Sequence, residues 1–228
     1  MIGSGTIAEL VLIDGSSAAR IRCAPGLIPA PGQYVLAHQP GSDSPLAGVL
    51  FRVGLTIDGF IASPPSPPQW TPGIKLDLRG PLGHGFVVPA AAARIALVAF
   101  DDGPRRLLSL MDAALRQDVS IALVSENPPD DLPFQIEVQP PSALQDVLKW
   151  ADYAAFDVAR ESLPGLGRKL HTRLHRPEWP RAQVLVRVPM PCGALAECGV
   201  CAVRLRRGIG LACDAGPVFE LELLDLES

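Results

Sequence analysis

Four of the five cysteines in this chain lie close together, and their spacing limits how the last part of the chain can fold. They follow a C-x5-C-x2-C-x11-C arrangement and are Cys192, Cys198, Cys201 and Cys213. The segment over residues 190–228 is too short to fold on a core of its own. A bound inorganic group can supply the missing stability, because its ligands fold around it. Five cysteines are an odd number, and four of them are clustered, which argues against a secreted disulfide framework. The spacing therefore predicts a metal or cluster site.

Three close cysteines followed by a distant one suit a [2Fe–2S] cluster, in which each iron binds two thiolates. Gly193 and Gly199 would let the backbone approach the sulfur atoms and donate N–H groups to them. Plant-type ferredoxins use a C-x4-C-x2-C run, and the first gap here is one residue longer. The alternatives are zinc, which usually binds two C-x2–4-C hooks, and unligated thiols. Cys23 lies far away in sequence and is predicted to be a buried free cysteine.

The first part of the chain, residues 1–90, has the pattern of short β-strands separated by turn residues. A proline-rich stretch at 63–71 is predicted to be an ordered loop or a barrel edge, because proline cannot donate to a sheet ladder. Six short strands without a helical period predict a small antiparallel barrel, with a sandwich as the alternative. The predicted strands are Gly5–Ile13, Ala18–Ala24, Tyr34–His38, Ala47–Leu55, Gly59–Ala62 and Ile74–Leu78.

Residues 91–189 alternate between apolar strand patterns and helical periods, which predicts a small parallel α/β domain. Ser142 is predicted to cap the second helix. The predicted strands are Ile95–Phe100, Ser120–Val124, Phe134–Val138, Tyr153–Phe156 and Gln183–Val188, and the predicted helices are Pro104–Gln117 and Ser142–Trp150. The chain is therefore expected to contain three units, with boundaries near residues 90 and 190.

Composition and charge exclude several classes of protein. A net charge of −4 argues against a nucleic-acid binder, because phosphate contacts need clustered lysine and arginine. The N-terminus lacks the basic region and apolar run of a signal peptide. No apolar stretch approaches the ~18 residues that span a bilayer. The expectation is a cytoplasmic protein that does not insert into membranes.

Three segments resemble one known family. They read P-G-Q-Y-V over Pro31–Val35, G-P-L-G-H-G-F over Gly80–Phe86, and C-D-A-G-P-V-F over Cys213–Phe219. In sequence and order they resemble the electron-transfer subunits of dihydroorotate dehydrogenase, within the ferredoxin–NADP reductase-like superfamily. The resemblance implies a ferredoxin-reductase-like barrel that binds FAD, an α/β domain that receives NADH, and a C-terminal [2Fe–2S] segment. It also implies a partner oxidoreductase subunit that exchanges electrons with the cluster.

The flavin motif of that family is altered here. Aligned from Pro45 and Leu46, the R-P-x-S motif becomes Val49-Leu50-Phe51-Arg52, and the family's G-K-G-T turn has no counterpart. Arg52 cannot simply replace the missing arginine, since strand alternation puts it on the opposite face from Val49. The resemblance therefore implies FAD, whereas the residues at the motif argue against it.

The nicotinamide site is altered as well. Glycine-rich turns admit a pyrophosphate to a helix N-terminus, but the corresponding turn here runs from Ala99 to Pro104. Phe100 is expected to fill the space, and Asp101 and Asp102 are expected to repel the anion. The family's C-G-P signature is replaced by Ala155–Asp157. NAD is therefore not expected to bind.

Two basic segments are candidate contact surfaces. His171 and His175 have a chelating spacing but no third ligand nearby, and the stretch over 168–176 is interpreted as a solvated basic face or a docking patch. A second group lies between the last two clustered cysteines and comprises Arg204, Arg206 and Arg207. These arginines either dock an acidic partner or pair with Glu220 and Glu222.

The sequence favours an iron–sulfur electron-transfer subunit that relays electrons to or from a partner oxidoreductase, rather than a stand-alone enzyme. Two alternatives stay open. The chain could be a non-enzymatic structural or assembly subunit whose tail is stapled by a cluster. It could also be a flavin-containing, NAD(P)H-dependent reductase subunit with altered motifs.

Overall fold

The first six strands close into an antiparallel barrel. The structure is a computed structural model that describes residues 1–44, 46–170 and 180–227. The strands pair in the order β1-β2-β5-β4-β3-β6, which confirms the barrel over the sandwich. They are β1 (Ile2–Ile13), β2 (Ser16–Cys23), β3 (Tyr34–His38), β4 (Gly48–Thr56), β5 (Gly59–Ala62) and β6 (Lys75–Leu82). Side chains of alternate residues fill the interior, among them Ile7, Ile21, Phe60 and Leu76.

The proline-rich stretch forms an ordered loop rather than a strand at the barrel edge. Its last aromatic residue, Trp70, is 4% exposed and belongs to the barrel core. Ser66 N–H in the same loop donates to the carbonyl of Ser17. The loop therefore closes one end of the barrel with an indole ring.

The second part of the chain is a parallel sheet with helices. Five parallel strands and one antiparallel strand, β14 (Val218–Glu220), lie in the order β14-β11-β10-β7-β8-β9. The parallel strands are β7 (Arg94–Ala99), β8 (Ser120–Val124), β9 (Ile136–Gln139), β10 (Tyr153–Ala159) and β11 (Arg181–Arg187). The helices are α1 (Leu108–Leu115), α2 (Leu144–Trp150) and α3 (Leu163–Leu170). In the described ranges, no helix is both long and apolar enough to cross a membrane.

The helices depart from the sequence prediction at three points. Helix α1 begins at Leu108, four residues after the predicted start at Pro104. The predicted cap by Ser142 is wrong: a 3-10 turn precedes α2, and the residue at its N-cap is Ala143, without a side-chain hydrogen bond. Helix α3 was not predicted, because a proline and two glycines in its sequence hide its apolar face.

The cysteine-rich tail shares the core of the α/β sheet. Its hairpin consists of β12 (Ala202–Arg204) and β13 (Ile209–Leu211), and its last strand, β14 (Val218–Glu220), pairs with β11. Both Cys201 and Cys213 belong to the apolar cluster that contains the sheet strands. The division of the chain near residues 90 and 190 stays a prediction about its units.

The three segments that carry the family resemblance meet at one junction. Phe86 N–H donates to the carbonyl of Pro31 at 2.9 Å, and His84 N–H donates to the carbonyl of Gly216. Gly83 adopts a φ of +70°, and a Cβ there would lie 2.6 Å from the Gly216 oxygen. The loop that follows β6 therefore packs directly against the tail, and only glycine fits at its tip.

Replacing Gly83 with alanine should lower the free energy of unfolding by about 1–3 kcal/mol, because strained backbone and a steric clash add together. Gly15 is the matched control, since it has the same φ of +70° but no atom lies within 4 Å of the place that a Cβ would take. Urea unfolding of both variants measures the difference. Equal losses for Gly83→Ala and Gly15→Ala would show that the junction contact contributes nothing.

Candidate functional site

The four clustered cysteines form two pairs of thiols. Cys192 is in hydrogen-bonding contact with Cys198, and Cys213 is in hydrogen-bonding contact with Cys201. The two pairs are neighbours, since Cys192 also acts electrostatically on Cys213. Cys201 and Cys213 are buried, Cys192 is half-buried and Cys198 is exposed. The fold therefore brings the four clustered cysteines together at a site that is partly open to solvent.

The backbone of residues 192–201, here called the cysteine loop, is wound in an unusual conformation. Gly193, Ala194, Ala196 and Gly199 all have positive φ values, at 62°, 59°, 60° and 70°. Alanine rarely adopts this conformation, and such strained residues persist where the surrounding structure requires them. Turns of this kind gather backbone N–H groups into concave sites for anions, including iron–sulfur clusters.

Backbone N–H groups of the cysteine loop bond to two of the four sulfur atoms. Cys192 accepts hydrogen bonds from the backbone N–H groups of Leu195, Glu197 and Cys198, and these lower the pKa of its thiol to about 6. The Cys213 sulfur accepts from Ala196 N–H, but burial outweighs that bond and raises the pKa of Cys213 to about 12. The loop thus favours an anionic sulfur at Cys192, whereas Cys213 needs a nearby cation to become a thiolate.

Side chains from both domains hold the loop in place. The buried Tyr34 hydroxyl donates to the carbonyl of Cys213 at 2.9 Å, and burial raises the pKa of that tyrosine. From the barrel, Arg79 Nη2 donates to the carbonyl of Ala194 at 3.2 Å. From the end of β10, Arg160 Nη1 donates to the carbonyl of Val200 in the loop and to that of Ala202 just after it. The site therefore lies at the junction of barrel, sheet and tail.

The four cysteines are the candidate donors for an inorganic group. Among residues 1–44, 46–170 and 180–227, no three His, Cys, Asp or Glu side chains are placed to hold one metal ion. A structural zinc would need four ligands around one centre. A [2Fe–2S] cluster needs two thiolates on each of two irons, so the four cysteines match it in number. Cys192 and Cys198 would bind one iron, and Cys201 and Cys213 the other.

The region of the altered flavin motif offers no replacement for the missing arginine. Val49 and Phe51 are half-buried and pack on the larger core, and the Phe51 ring lies 6.0 Å from that of Tyr34. Leu50 points into the barrel core, and alternation places Arg52 on that same side. Arg52 is only 8% exposed, and its electrostatic neighbours lie on α1. The family's flavin contacts at this strand therefore do not fit these residues.

The carboxyl edge of the parallel sheet is filled by a network of ion pairs. Asp157, at 1% exposed, accepts from Arg187 Nε at 2.8 Å and from Arg106 Nη1 at 3.4 Å. Arg187 also pairs with Asp101 and Asp102. Burial raises the pKa of Asp157 to about 6 in spite of Arg106. We call these five residues the acid–arginine network.

The network changes the reason for expecting no dinucleotide. The sequence predicted that Asp101 and Asp102 would repel a pyrophosphate, but arginines from distant positions pair with them. A dinucleotide binds at this edge in related α/β folds, and here internal ion pairs occupy it. Phe100 is half-buried in the larger core, with Lys169 Nζ 5.3 Å from its ring centroid. An incoming phosphate would have to break the ion pairs of both Arg106 and Arg187.

Other predicted residues have mixed outcomes. His171 and His175 lie outside the described residues, as does most of the basic stretch around them. Cys23 is a free thiol, but it is half-buried rather than buried. Glu220 bonds to Arg181 and Gln183. Among the described residues it makes no ion pair with the three arginines of the tail, which are exposed and comprise Arg204, Arg206 and Arg207.

Sequence reasoning missed the arginines that hold the site together. Arg79 and Arg160 lie far from the cysteines in sequence, and no motif marks them. Arg106 and Arg187 likewise come from different elements and meet Asp157 only in the fold. Long-range pairs of this kind leave no local signal in a single sequence.

Comparison with solved structures places the fold in a known class. A scan against known protein families finds no match. The chain is similar to an NADH-dependent reduced ferredoxin–NADP oxidoreductase described for flavin-based electron bifurcation, at 15% identity and a TM-score of 0.70 over 98% of this chain and 90% of that one. It also resembles the ferredoxin reductase of carbazole 1,9a-dioxygenase, at 13% identity and a TM-score of 0.59 over 81% and 68% of the two chains.

A third similar structure is a ferredoxin NADP+ reductase from Neisseria gonorrhoeae with bound FAD and NADP. It is 10% identical, with a TM-score of 0.56 over 82% of this chain and 98% of that one. The chain therefore has the ferredoxin reductase-like fold, a barrel followed by a parallel α/β domain. At these identities the likeness shows the fold alone, and the function has to be argued from the site.

The buried carboxyl of Asp157 should make stability depend on pH. Its pKa is raised from 3.8 to about 6, so the folded state binds this proton more tightly than the unfolded state does. Its contribution is therefore most favourable below about pH 4 and is lost as the pH rises through 6. Asp157→Asn should remove this slope, which amounts to at most about 3 kcal/mol.

Urea unfolding between pH 4 and pH 7 measures the effect as the difference between wild type and variant. Asp130→Asn is the control, since Asp130 is an exposed carboxylate. If the difference for Asp157→Asn is as flat with pH as that for Asp130→Asn, then Asp157 is ionised throughout this range in the folded protein.

Proposed function

We propose that this chain is an iron–sulfur electron-transfer subunit that relays electrons to or from a partner oxidoreductase. The observation that carries the proposal is the pairing of the four thiols beneath a loop whose N–H groups point at sulfur. Cys192, Cys198, Cys201 and Cys213 would be the ligands. A [2Fe–2S] cluster, when bound, supplies a centre that gains and loses single electrons.

The exposure of the site favours a cluster that transfers electrons (a relay) over a cluster that only stabilises the tail (a staple). A staple can be fully buried, whereas a relay must bring its cluster near a partner's redox centre. Cys198 is exposed, and Leu195 and Val200 on either side of it are 58% and 43% exposed. The pair formed by Cys192 and Cys198 therefore lies on the outer side of the site, where a second protein can approach it.

The chain's own residues suggest that it depends on another protein for electrons. The acid–arginine network fills the edge that would receive a nicotinamide dinucleotide, and Val49 replaces the flavin arginine. A subunit with a cluster but without a two-electron cofactor cannot complete a redox cycle alone. In the dihydroorotate dehydrogenase family, which the sequence resembles, the cluster exchanges electrons with a partner subunit, and we propose the same arrangement here.

The tail arginines are the proposed contact with that partner. Arg204, Arg206 and Arg207 are exposed, and Glu220, one of the two glutamates that could neutralise them, instead bonds Arg181. They form a local positive surface on a chain whose net charge is −4. A local positive charge on a negatively charged protein steers association with an acidic surface. The free thiols and the proposed cluster suit a reducing compartment such as the cytoplasm.

Anaerobically purified protein should contain two irons and two acid-labile sulfides per chain, following the ligand count of a [2Fe–2S] site. Cys198→Ser and Cys201→Ser should bleach the visible absorbance, because each removes a ligand. Cys23→Ser is the matched control and should keep its colour. Stoichiometric zinc without labile sulfide, in protein made with ample iron, would overturn the proposal.

The α/β domain should not bind NADH with micromolar affinity. The physical reason is that a phosphate would have to displace Asp101, Asp102 and Asp157 from their arginines. Isothermal titration calorimetry with NADH tests this, and the visible spectrum of the same sample tests for flavin. Micromolar binding that is lost in Arg187→Gln would show that the edge of the sheet still accepts a dinucleotide.

Charge reversal of the tail should slow association with the partner. Arg206→Glu combined with Arg207→Glu should lower the association rate by roughly tenfold at low salt, and the effect should shrink at high salt. The control reverses Arg22 and Lys75, which flank Thr6 near the other end of β6. The partner is first co-purified from the native host and identified. An unchanged association rate with a lowered melting temperature would discard the docking surface.

A further inference from the structure

Arg160 connects the end of strand β10 to the backbone around one cysteine. It is the first residue after β10 and begins a short 3-10 turn. Its Nη1 atom donates to the carbonyl of Val200 at 2.8 Å and to the carbonyl of Ala202 at 3.1 Å. These two carbonyls belong to the residues on either side of Cys201. One guanidinium nitrogen therefore fixes the chain both before and after a proposed ligand.

The remaining bonds around Cys201 complete a rigid setting. Its carbonyl accepts from Ala212 N–H at 3.0 Å, and Ala202 N–H donates to the carbonyl of Gly199 at 3.1 Å. Cys201 is only 1% exposed, so the surrounding atoms restrict the position of its sulfur. The arginine is the one side chain from the α/β domain that the described hydrogen bonds attach to this stretch.

The charge of Arg160 is only weakly neutralised. Its nearest carboxylate is that of Glu161, 3.4 Å from Nη2, and the Glu161 side chain is 70% exposed. An exposed pair of this kind contributes little. A positive charge next to a cluster favours the reduced form, which carries one more electron, and charge is one of the factors that set cluster potentials.

We propose that Arg160 is a positioning residue that holds Cys201 in place for the second iron and raises the reduction potential of the cluster. This inference rests on the proposed iron–sulfur function. It assigns Arg160 a role that a surface arginine would not have, since its planar guanidinium binds two carbonyls at once.

Arg204 provides a matched comparison. Both arginines line one cavity of about 320 Å³, together with Leu163 and Ile209. Unlike Arg160, Arg204 makes no side-chain hydrogen bond or ion pair with any residue that the structure describes. Arg160→Gln and Arg204→Gln therefore remove the same charge from the same cavity, but only the first releases the backbone of Cys201.

The test compares wild type, Arg160→Gln, Arg204→Gln and Arg160→Lys by redox titration and visible circular dichroism. We expect Arg160→Gln to alter the dichroism of the cluster and to lower the reduction equilibrium constant at least tenfold, equivalent to 59 mV for one electron. Arg204→Gln should leave the dichroism unchanged and shift the potential less. Arg160→Lys keeps the charge, but its shorter side chain does not place a nitrogen at the position of Nη1, so it should restore the potential but not the dichroism.

Hydrogen exchange of the same proteins provides a readout that needs no cluster. Amides of residues 199–204 should exchange at least tenfold faster in Arg160→Gln than in Arg204→Gln. If wild type binds no iron or sulfide, the proposed function fails, and exchange alone decides whether Arg160 holds this backbone. If the cluster is present and the two glutamine variants match in potential, dichroism and exchange, the inference is overturned while the proposed function stands. If Arg160→Gln does not fold, the same comparison is made with Arg160→Lys, and a wild-type dichroism and exchange rate there overturn the inference.

Discussion

A buried side-chain hydrogen bond joins the barrel to the cysteine-rich tail. The Tyr34 hydroxyl, on a fully buried side chain, donates to the carbonyl of Cys213. A buried phenol needs a partner, and leaving it without one costs about 1–3 kcal/mol. The bond therefore helps to fix where the tail, and with it Cys213, lies on the barrel. Arg79 and Arg160 then hold the cysteine loop from the two domains on either side of it.

Two places in this fold are candidates for a bound cofactor, the carboxyl edge of the parallel sheet and the cysteine-rich tail. Their side chains differ in kind. At the sheet edge, the acid–arginine network replaces a ligand with internal ion pairs. Buried ion pairs add little net stability, because the cost of removing charges from water offsets their attraction. The network fills this space with side chains that form ion pairs with one another. At the tail, by contrast, sulfur atoms and backbone N–H groups converge, and the proposed cluster site rests on that arrangement.

Local patterns predicted the framework better than they predicted the site. The strands β3, β5 and β8 match their predicted bounds because alternation and turn residues are local signals. Helix α3 was missed because Pro164, Gly165 and Gly167 obscure its period. The four cysteines of the proposed site were found from their spacing, since they are close in sequence as well as in space. The residues that support them are dispersed along the chain, and the acidic turn at Asp101 was misread because its partner Arg187 is distant in sequence.

The position of the last strand has a consequence for how the protein comes apart. Strands β11 and β14 are hydrogen-bonded neighbours, with Leu185 opposite Val218, so residues 188–217 form an excursion whose two ends are already held one strand spacing apart. Because the pairing of the two strands already holds the ends of this segment together, ordering the segment costs less loop-closure entropy. The cysteine segment can therefore open and close as a local cooperative unit, while the barrel and the parallel strands stay folded and keep the place to which it returns.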